Sequence, residues 1–342
     1  MKKHVFIKVL LCVLLFSFCL ITYNSYAAEK VTTLRYTHFN TPDTPMCKVA
    51  QEWCKEVEKR TNGRVKVMLY PGGTLIPIVQ TYDAVVKGSV DIGFGIFTYS
   101  RGRFPLTEVI DLPLGYKNAY TATKLINEYY KKFKPKELDD VKVLYLEAHG
   151  PGIMHFKKPI TKMEELKGMK IRSSGLSAKI VTALGGTPVS LPITEAYDAI
   201  SKGIADGMTN DVGGLFLFGL SELLPYHIEN YGSAYVSGFY TVMNKGKWNA
   251  LSPADQAIID KINEEWIEKR AVMWRDDVDG VSKKAMLQKG QKFVPLSKEE
   301  DARWAQAVKP ILDDYVKTTK EKGLPGDQAL KFCLDYLKAH DK

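Results

Sequence analysis

The stretch that decides the fold begins Gly168-Met169-Lys170-Ile171-Arg172-Ser173-Ser174-Gly175 and passes through Leu184-Gly185-Gly186-Thr187-Pro188-Val189. It closes on Lys202-Gly203-Ile204-Ala205-Asp206-Gly207-Met208-Thr209-Asn210-Asp211. Residues 169–172 read as a short buried strand, and Ser173-Ser174-Gly175 as the turn that ends it. Arg172 is then expected at the strand's carboxyl end, where open α/β sheets take their ligands. A guanidinium there offers a rigid fork of N–H donors that matches a carboxylate or sulfonate. Two readings of Arg172 fit that place. It clamps an organic anion in a cleft between two lobes, or it is a structural arginine paired with a nearby Asp or Glu.

Upstream, residues 31–37 predict a first strand, followed by the loop His38-Phe39-Asn40-Thr41-Pro42. Thr44 caps a helix with Pro45 in its first turn, and Met46, Val49, Ala50, Trp53 and Val57 form one apolar stripe. Residues 64–70 alternate as a second strand. Pro71-Gly72-Gly73 turns into another helix, and residues 89–94 make a third strand. This β-α-β-α-β order predicts an open α/β sheet with right-handed crossovers. The loop Tyr99 to Leu106 follows the third strand. A helix from Asn118, a strand over 141–148 and the exit loop His149-Gly150-Pro151-Gly152 lead to a strand over 153–157 that enters a second lobe.

Downstream, a strand over 234–243 is long enough to cross back. Ser252-Pro253-Ala254-Asp255 opens a helix. Ile259, Ile262, Trp266 and Met273 share one face, and the pattern runs to about Lys289, long enough to brace both lobes. The expected layout is a signal peptide (1–27), lobe I (28–150 plus about 240–275) and lobe II (151–239 plus about 276–342), the lobe of the last helices being left open. The fold class is α/β, a two-lobed periplasmic-binding-protein fold with mixed sheets flanked by helices.

Charged residues make up 25% and apolar ones 45% of the 342 residues, an ordinary globular balance. The net charge of +9 is scattered, and the longest basic runs, such as Lys131-Lys132, are pairs. No stripe for nucleic acid results. Lys2, Lys3 and Lys8 precede an apolar run over 9–21, and Ser25-Tyr26-Ala27 has small residues where a signal peptidase needs them. Cleavage is expected after Ala27. Cys47, Cys54 and Cys333 remain beyond that point. Cys47 and Cys54 stand about 10 Å apart along a helix, beyond disulfide reach, which leaves a bridge of either to Cys333 or three buried thiols. The sequence contains no Gly-x-Ser-x-Gly, P-loop, His-Glu-x-x-His or Cys-x-x-Cys, and no two histidines stand at metal-ligand spacing. An enzyme is not expected.

Several strings occur in order. They are Thr61-Asn62-Gly63-Arg64, Pro71-Gly72-Gly73-Thr74-Leu75, Gly88-Ser89-Val90-Asp91-Ile92-Gly93 and Gly102-Arg103-Phe104-Pro105-Leu106. Then follow Glu165-Leu166-Lys167-Gly168-Met169-Lys170-Ile171-Arg172, Lys202-Gly203-Ile204-Ala205-Asp206-Gly207 and Met243-Asn244-Lys245-Gly246-Lys247-Trp248. Over essentially the whole chain beyond residue 27 this set resembles the periplasmic solute-binding subunits of tripartite ATP-independent periplasmic (TRAP) transporters, the DctP-like family. The resemblance implies a hinge-closing periplasmic protein, read as a monomer, that captures a small organic acid. It would deliver the acid to a permease of small and large membrane subunits. The runner-up is a binding protein serving an ABC importer or a sensor kinase.

In that family the arginine of the Lys-x-Arg strand clamps the substrate carboxylate, and Arg172 matches it. An asparagine after the Asp-Gly pair assists, and Asn210 matches that. Thr209 stands where many members carry an acidic residue and Asp211 where many carry proline; Asp211 is counted with the candidate site. Some metal-using keto-acid binders have a tryptophan after the Asp-Gly pair. None stands there, so no metal or cofactor is expected. From loop position, Phe39 and Tyr99 either wall the cleft or fill ordinary core. His38 is a donor to the anion or a hydrogen-bonded loop histidine. Arg103 is a ligand or a tie for the Arg-Phe-Pro loop. His149 faces the hinge, and Tyr235 and Phe239 flank the ligand or fill core.

Overall fold

The computed structural model describes residues 31–100 and 102–341. The expected signal segment 1–27 lies outside the described residues. Strands β1 (Thr32–His38), β2 (Val65–Tyr70) and β3 (Ile92–Ile96) are joined by helices α1 (Pro45–Arg60) and α2 (Thr81–Val86). The Thr44 hydroxyl accepts from the Cys47 amide at 3.4 Å and caps α1 as expected. β3 starts later than the alternation suggested, and just before it the Asp91 carboxylate accepts from the Arg35 amide at 2.8 Å. α3 (Ala119–Phe133), capped by Asn118, leads to β4 (Val141–Ala148). The second half holds β5 (Ile153–Phe156), β6 (Lys170–Ser173), α4 (Ser177–Ala183), β7 (Thr187–Ser190) and α5 (Ala196–Ser201). It continues with β8 (Gly207–Asn210), α6 (Val212–Leu217) and β9 (Tyr226–Glu229). The chain then returns as β10 (Gly238–Asn244).

Two mixed sheets result. In the first the order is β2-β1-β3-β10-β4, with β1 parallel to both neighbours and β10 inserted antiparallel between β3 and β4. The second is completed by β11 (Lys292–Pro295) and runs β11-β9-β5-β8-β6-β7, with β6 parallel to β7 and β8 and β5 antiparallel to β8 and β9. The chain crosses between sheets after β4 and before β10. Those two crossings meet at an isolated antiparallel bridge, where the Gly152 amide donates to the Tyr235 carbonyl at 2.7 Å.

After α7 (Lys245–Asn249), the chain is helical from 253 to 288: α8 (Pro253–Val272), a π-helical stretch Met273–Gly280, and α9 (Val281–Gln288). α8 packs on α1, α3 and β4; α9 packs on α6 of the other lobe. This is the expected brace. Its anchor is Arg270, fully buried, which donates to the Met46 carbonyl at 2.9 Å and the Tyr145 hydroxyl at 3.2 Å and lies 3.1 Å from Glu147. Two helices end the chain, α10 (Lys298–Glu321) and α11 (Gly326–His340). α10 packs on α4, whereas α11 returns to α3 and the 107–111 turn beside the first sheet rather than staying with the second lobe. Cys47, Cys54 and Cys333 are free and buried. Cys333 lies in a different core cluster from Cys54, and burial pushes the Cys54 thiol up to about 12. Among the described residues no helix is long and apolar enough to cross a membrane.

Candidate ligand-binding site

β6 is an interior strand, and Arg172 sits one residue from its carboxyl end, paired with Val189 of β7 and Met208 of β8. The side chain is 1% exposed. Nε and one terminal nitrogen both donate to the Leu191 carbonyl, at 3.1 and 2.7 Å. Those bonds fix the plane of the guanidinium. Among the described residues it forms no ion pair. A buried charge without a counter-ion is costly and favours capture of an anion.

The guanidinium lines a cavity of about 40 Å³ between the two sheets, roughly the volume of one or two waters. The lobes are therefore shut. Phe39, Met46, Ile96, Tyr99, Phe239 and Trp274 reach it from the first lobe and the brace; Ile193 and Phe218 reach it from the second. Tyr99 also locks the closure, since its hydroxyl accepts the Ile193 amide proton at 2.8 Å. Gly175 makes close approach possible. Its φ is +52°, and a Cβ there would lie 1.4 Å from Thr98 Oγ1.

Polar groups collect on the hinge side of the cavity. His149 Nε2 accepts from the Ser237 amide at 2.9 Å, so the ring proton is on Nδ1, which donates to the Gly150 carbonyl at 2.6 Å. Both nitrogens are thereby used and the ring is neutral. Asp211 is buried; its Oδ2 accepts from the Gly214 amide at 2.6 Å at the start of α6, and Oδ1 stands 3.9 Å from His149 Nδ1. Behind it Asp279 projects from the π-helical stretch against Gly150, where a Cβ would meet its Oδ2 at 1.8 Å. The Asp279 residue is only partly covered, but its Oδ1 is out of water with no hydrogen-bond partner. Burial and the charge of Asp211 push its carboxyl well above the ordinary range.

A family profile described as "Bacterial extracellular solute-binding protein, family 7" (DctP) matches residues 36–319. The chain belongs to this family. Its members here are TRAP periplasmic solute-binding proteins, not enzymes. It is 28% identical over 309 residues to the C4-dicarboxylate-binding periplasmic protein DctP of Rhodobacter capsulatus, covering 85% of this chain and 88% of that one. Among solved structures it is similar to a marine-metagenome TRAP solute-binding protein specific for aromatic acid ligands, co-crystallised with 3-hydroxybenzoate. Identity is 30%, coverage 92% and 100% of the two chains, and the TM-score 0.85. The Rhodoferax ferrireducens TRAP solute-binding protein with copurified benzoate matches at 28% identity, 91% and 98% coverage and TM-score 0.83.

Of the residues proposed from the family 7 sequence pattern and from loop position, Arg172, Asn210, Asp211, Phe39, Tyr99, His149 and Phe239 all line the cavity. Three do not. His38 is buried and stacked on Phe94 at 4.4 Å; burial and nearby Arg270 hold its pKa well below the usual imidazole range, and Nδ1 accepts from the Asn40 amide. Tyr235 packs its ring against Gly152 at the isolated bridge between the two crossings. Arg103 ties its loop to Asp83 and Asp140, at 2.5 and 2.6 Å, over the Tyr82 ring. Sequence reasoning missed Trp274, Ser237, Thr98, Ser174 and Phe218, and passed over Asn40, whose buried Oδ1 has no partner. Asn40 and Ser174 had a signal, lying in the loop after β1 and the turn after β6. A larger groove of about 730 Å³ crosses the outer side of the hinge by Lys117, Arg275 and Lys284. Those three cations are exposed to solvent, so it lacks the desolvated charge of the inner cavity.

Proposed function

We propose that this TRAP periplasmic solute-binding protein captures a small aromatic carboxylate between its lobes. Arg172 clamps the carboxylate, and Phe39, Tyr99, Phe218, Phe239 and Trp274 cover the ring. After export and removal of residues 1–27, the monomer hands the acid to a permease of small and large subunits. The observation that carries the reading is a buried guanidinium, without a counter-ion, on the wall of an aromatic interlobe cavity. The benzoate and 3-hydroxybenzoate carried by the two structural neighbours support the aromatic class. The C4-dicarboxylate name of the Rhodobacter relative points elsewhere. Among the described residues Arg172 is the one cationic side chain lining the cavity, a poor match for two carboxylates.

Truncating one partner of a desolvated charge pair costs about 2–5 kcal/mol. Arg172→Ala is therefore expected to weaken benzoate binding by roughly 30-fold to several thousandfold in calorimetry. Near wild-type affinity in that variant would reject the clamp.

A further inference from the structure

The cavity has two poles. Arg172 supplies a positive one from β6, and Asp211 a negative one from the end of β8. Each is at most 3% exposed. Asp211 is not neutralised by a cation. Its strong contact is the Gly214 amide, and His149, which faces it, has both ring nitrogens engaged in the neutral form. Its other acidic neighbour, Asp279, is turned toward Gly150. The remaining polar groups on the cavity wall, Asn40, Thr98, Ser174, Asn210 and Ser237, are uncharged. The two poles therefore cancel. One bound carboxylate leaves the cleft with a single net negative charge, and a second would leave two, between two poles that are themselves buried.

We propose that Asp211 selects the ligand class: aromatic acids with one carboxylate for Arg172 and a hydrogen-bond donor, hydroxyl or amino, facing Asp211, with dianions excluded. This rests on the reading of Arg172 as the clamp. The Rhodobacter relative's dicarboxylate is then a ligand this chain rejects. The penalty has the scale of two like unit charges a few ångströms apart in protein, where each is poorly screened. A donor at the same point gains a charge-assisted hydrogen bond instead.

The test is calorimetry on the wild-type chain with four acids in the meta series: benzoate, 3-hydroxybenzoate, 3-(aminomethyl)benzoate and isophthalate, repeated in the para series. The expected order puts a donor-bearing acid first, benzoate next, and the dianion at least about a hundredfold below the best donor-bearing acid. The hydroxyl and aminomethyl arms separate a neutral from a cationic donor. Asp211→Asn keeps a good helix cap and the side-chain volume while removing the charge. It is expected to bring the dianion at least tenfold closer to benzoate and to shrink the advantage of the donor. A dianion within tenfold of the hydroxybenzoate on the wild-type chain, or ratios unchanged in Asp211→Asn, overturns the inference and leaves the clamp standing. If no acid of either series binds the wild-type chain, the carboxylate reading itself fails and this inference with it.

Discussion

Arg172 is oriented before any ligand arrives, because the Leu191 carbonyl takes two of its N–H donors. Lysine at 172 would keep the charge but lose both the planar fork and that anchor. Arg172→Lys should therefore bind benzoate far more weakly than wild type, closer to the alanine variant. A second single-residue consequence lies away from the site. Asp111 is buried and accepts the Gly238 amide at 2.9 Å. Burial pushes its carboxyl up to about 8, against about 3.9 in an unfolded chain. A raised carboxyl favours the protonated folded state. Its contribution is full below pH about 4 and is lost as pH rises through 8, with a slope of at most about 1.4 kcal/mol per pH unit. Asp111→Asn keeps an acceptor for Gly238 and has no such loss. Its melting temperature relative to wild type should climb from pH 5 to pH 8; a gap that stays flat would refute the assignment.

The brace is the element on which most of the cavity depends. Arg270 and Glu147 are both fully buried, and Trp274 donates to Glu147 at 3.0 Å, so the ion pair aims an aromatic wall at the cleft. Removing one member strands the other. Arg270→Met should cost about 3–5 kcal/mol, while Arg270→Met combined with Glu147→Leu should recover much of it. Chemical denaturation of both variants reads this directly; a double variant no more stable than the single one would argue against the pair. The same element shows what the sequence conceals. Caps at Thr44, Asn118 and Ser252 and the β-α-β rhythm are local signals, so α1, α3, the start of α8 and the parallel strands were legible. The π-helical stretch is not. It shifts the helical phase, and a face counted at 3.6 residues per turn from Ile259 cannot show that Trp274 reaches the cavity. Likewise His38 sits in the loop by sequence, yet β1 extends to include it and pairs it with Phe94, which takes it into the core. Ser237 reaches the site beside His149, which accepts from its amide across 88 residues of chain, a pairing no local pattern encodes.

At the scale of the whole molecule, the lobes meet closely enough that only a small cavity is left. An aromatic acid must enter while they stand apart, and closure follows. Gly175 against Thr98 is a point of close approach in that meeting. Gly175→Ala should hold the lobes ajar at a backbone cost of about 1 kcal/mol. The expected outcome is a loss of at least tenfold in benzoate affinity. The radius of gyration from small-angle scattering should also fail to contract on adding the acid; wild-type contraction in this variant would show that the contact does not govern closure.

The three thiols carry a different implication. Family 7 proteins work outside the cytoplasm, where paired cysteines oxidise readily. Cys47, Cys54 and Cys333 stay reduced because each is enclosed in packed side chains, where the nucleophilic thiolate is hard to form. The native state then needs no disulfide among these three residues. A maleimide dye would stay silent on the intact molecule and light up only as the chain comes apart, turning these residues into built-in reporters of denaturation.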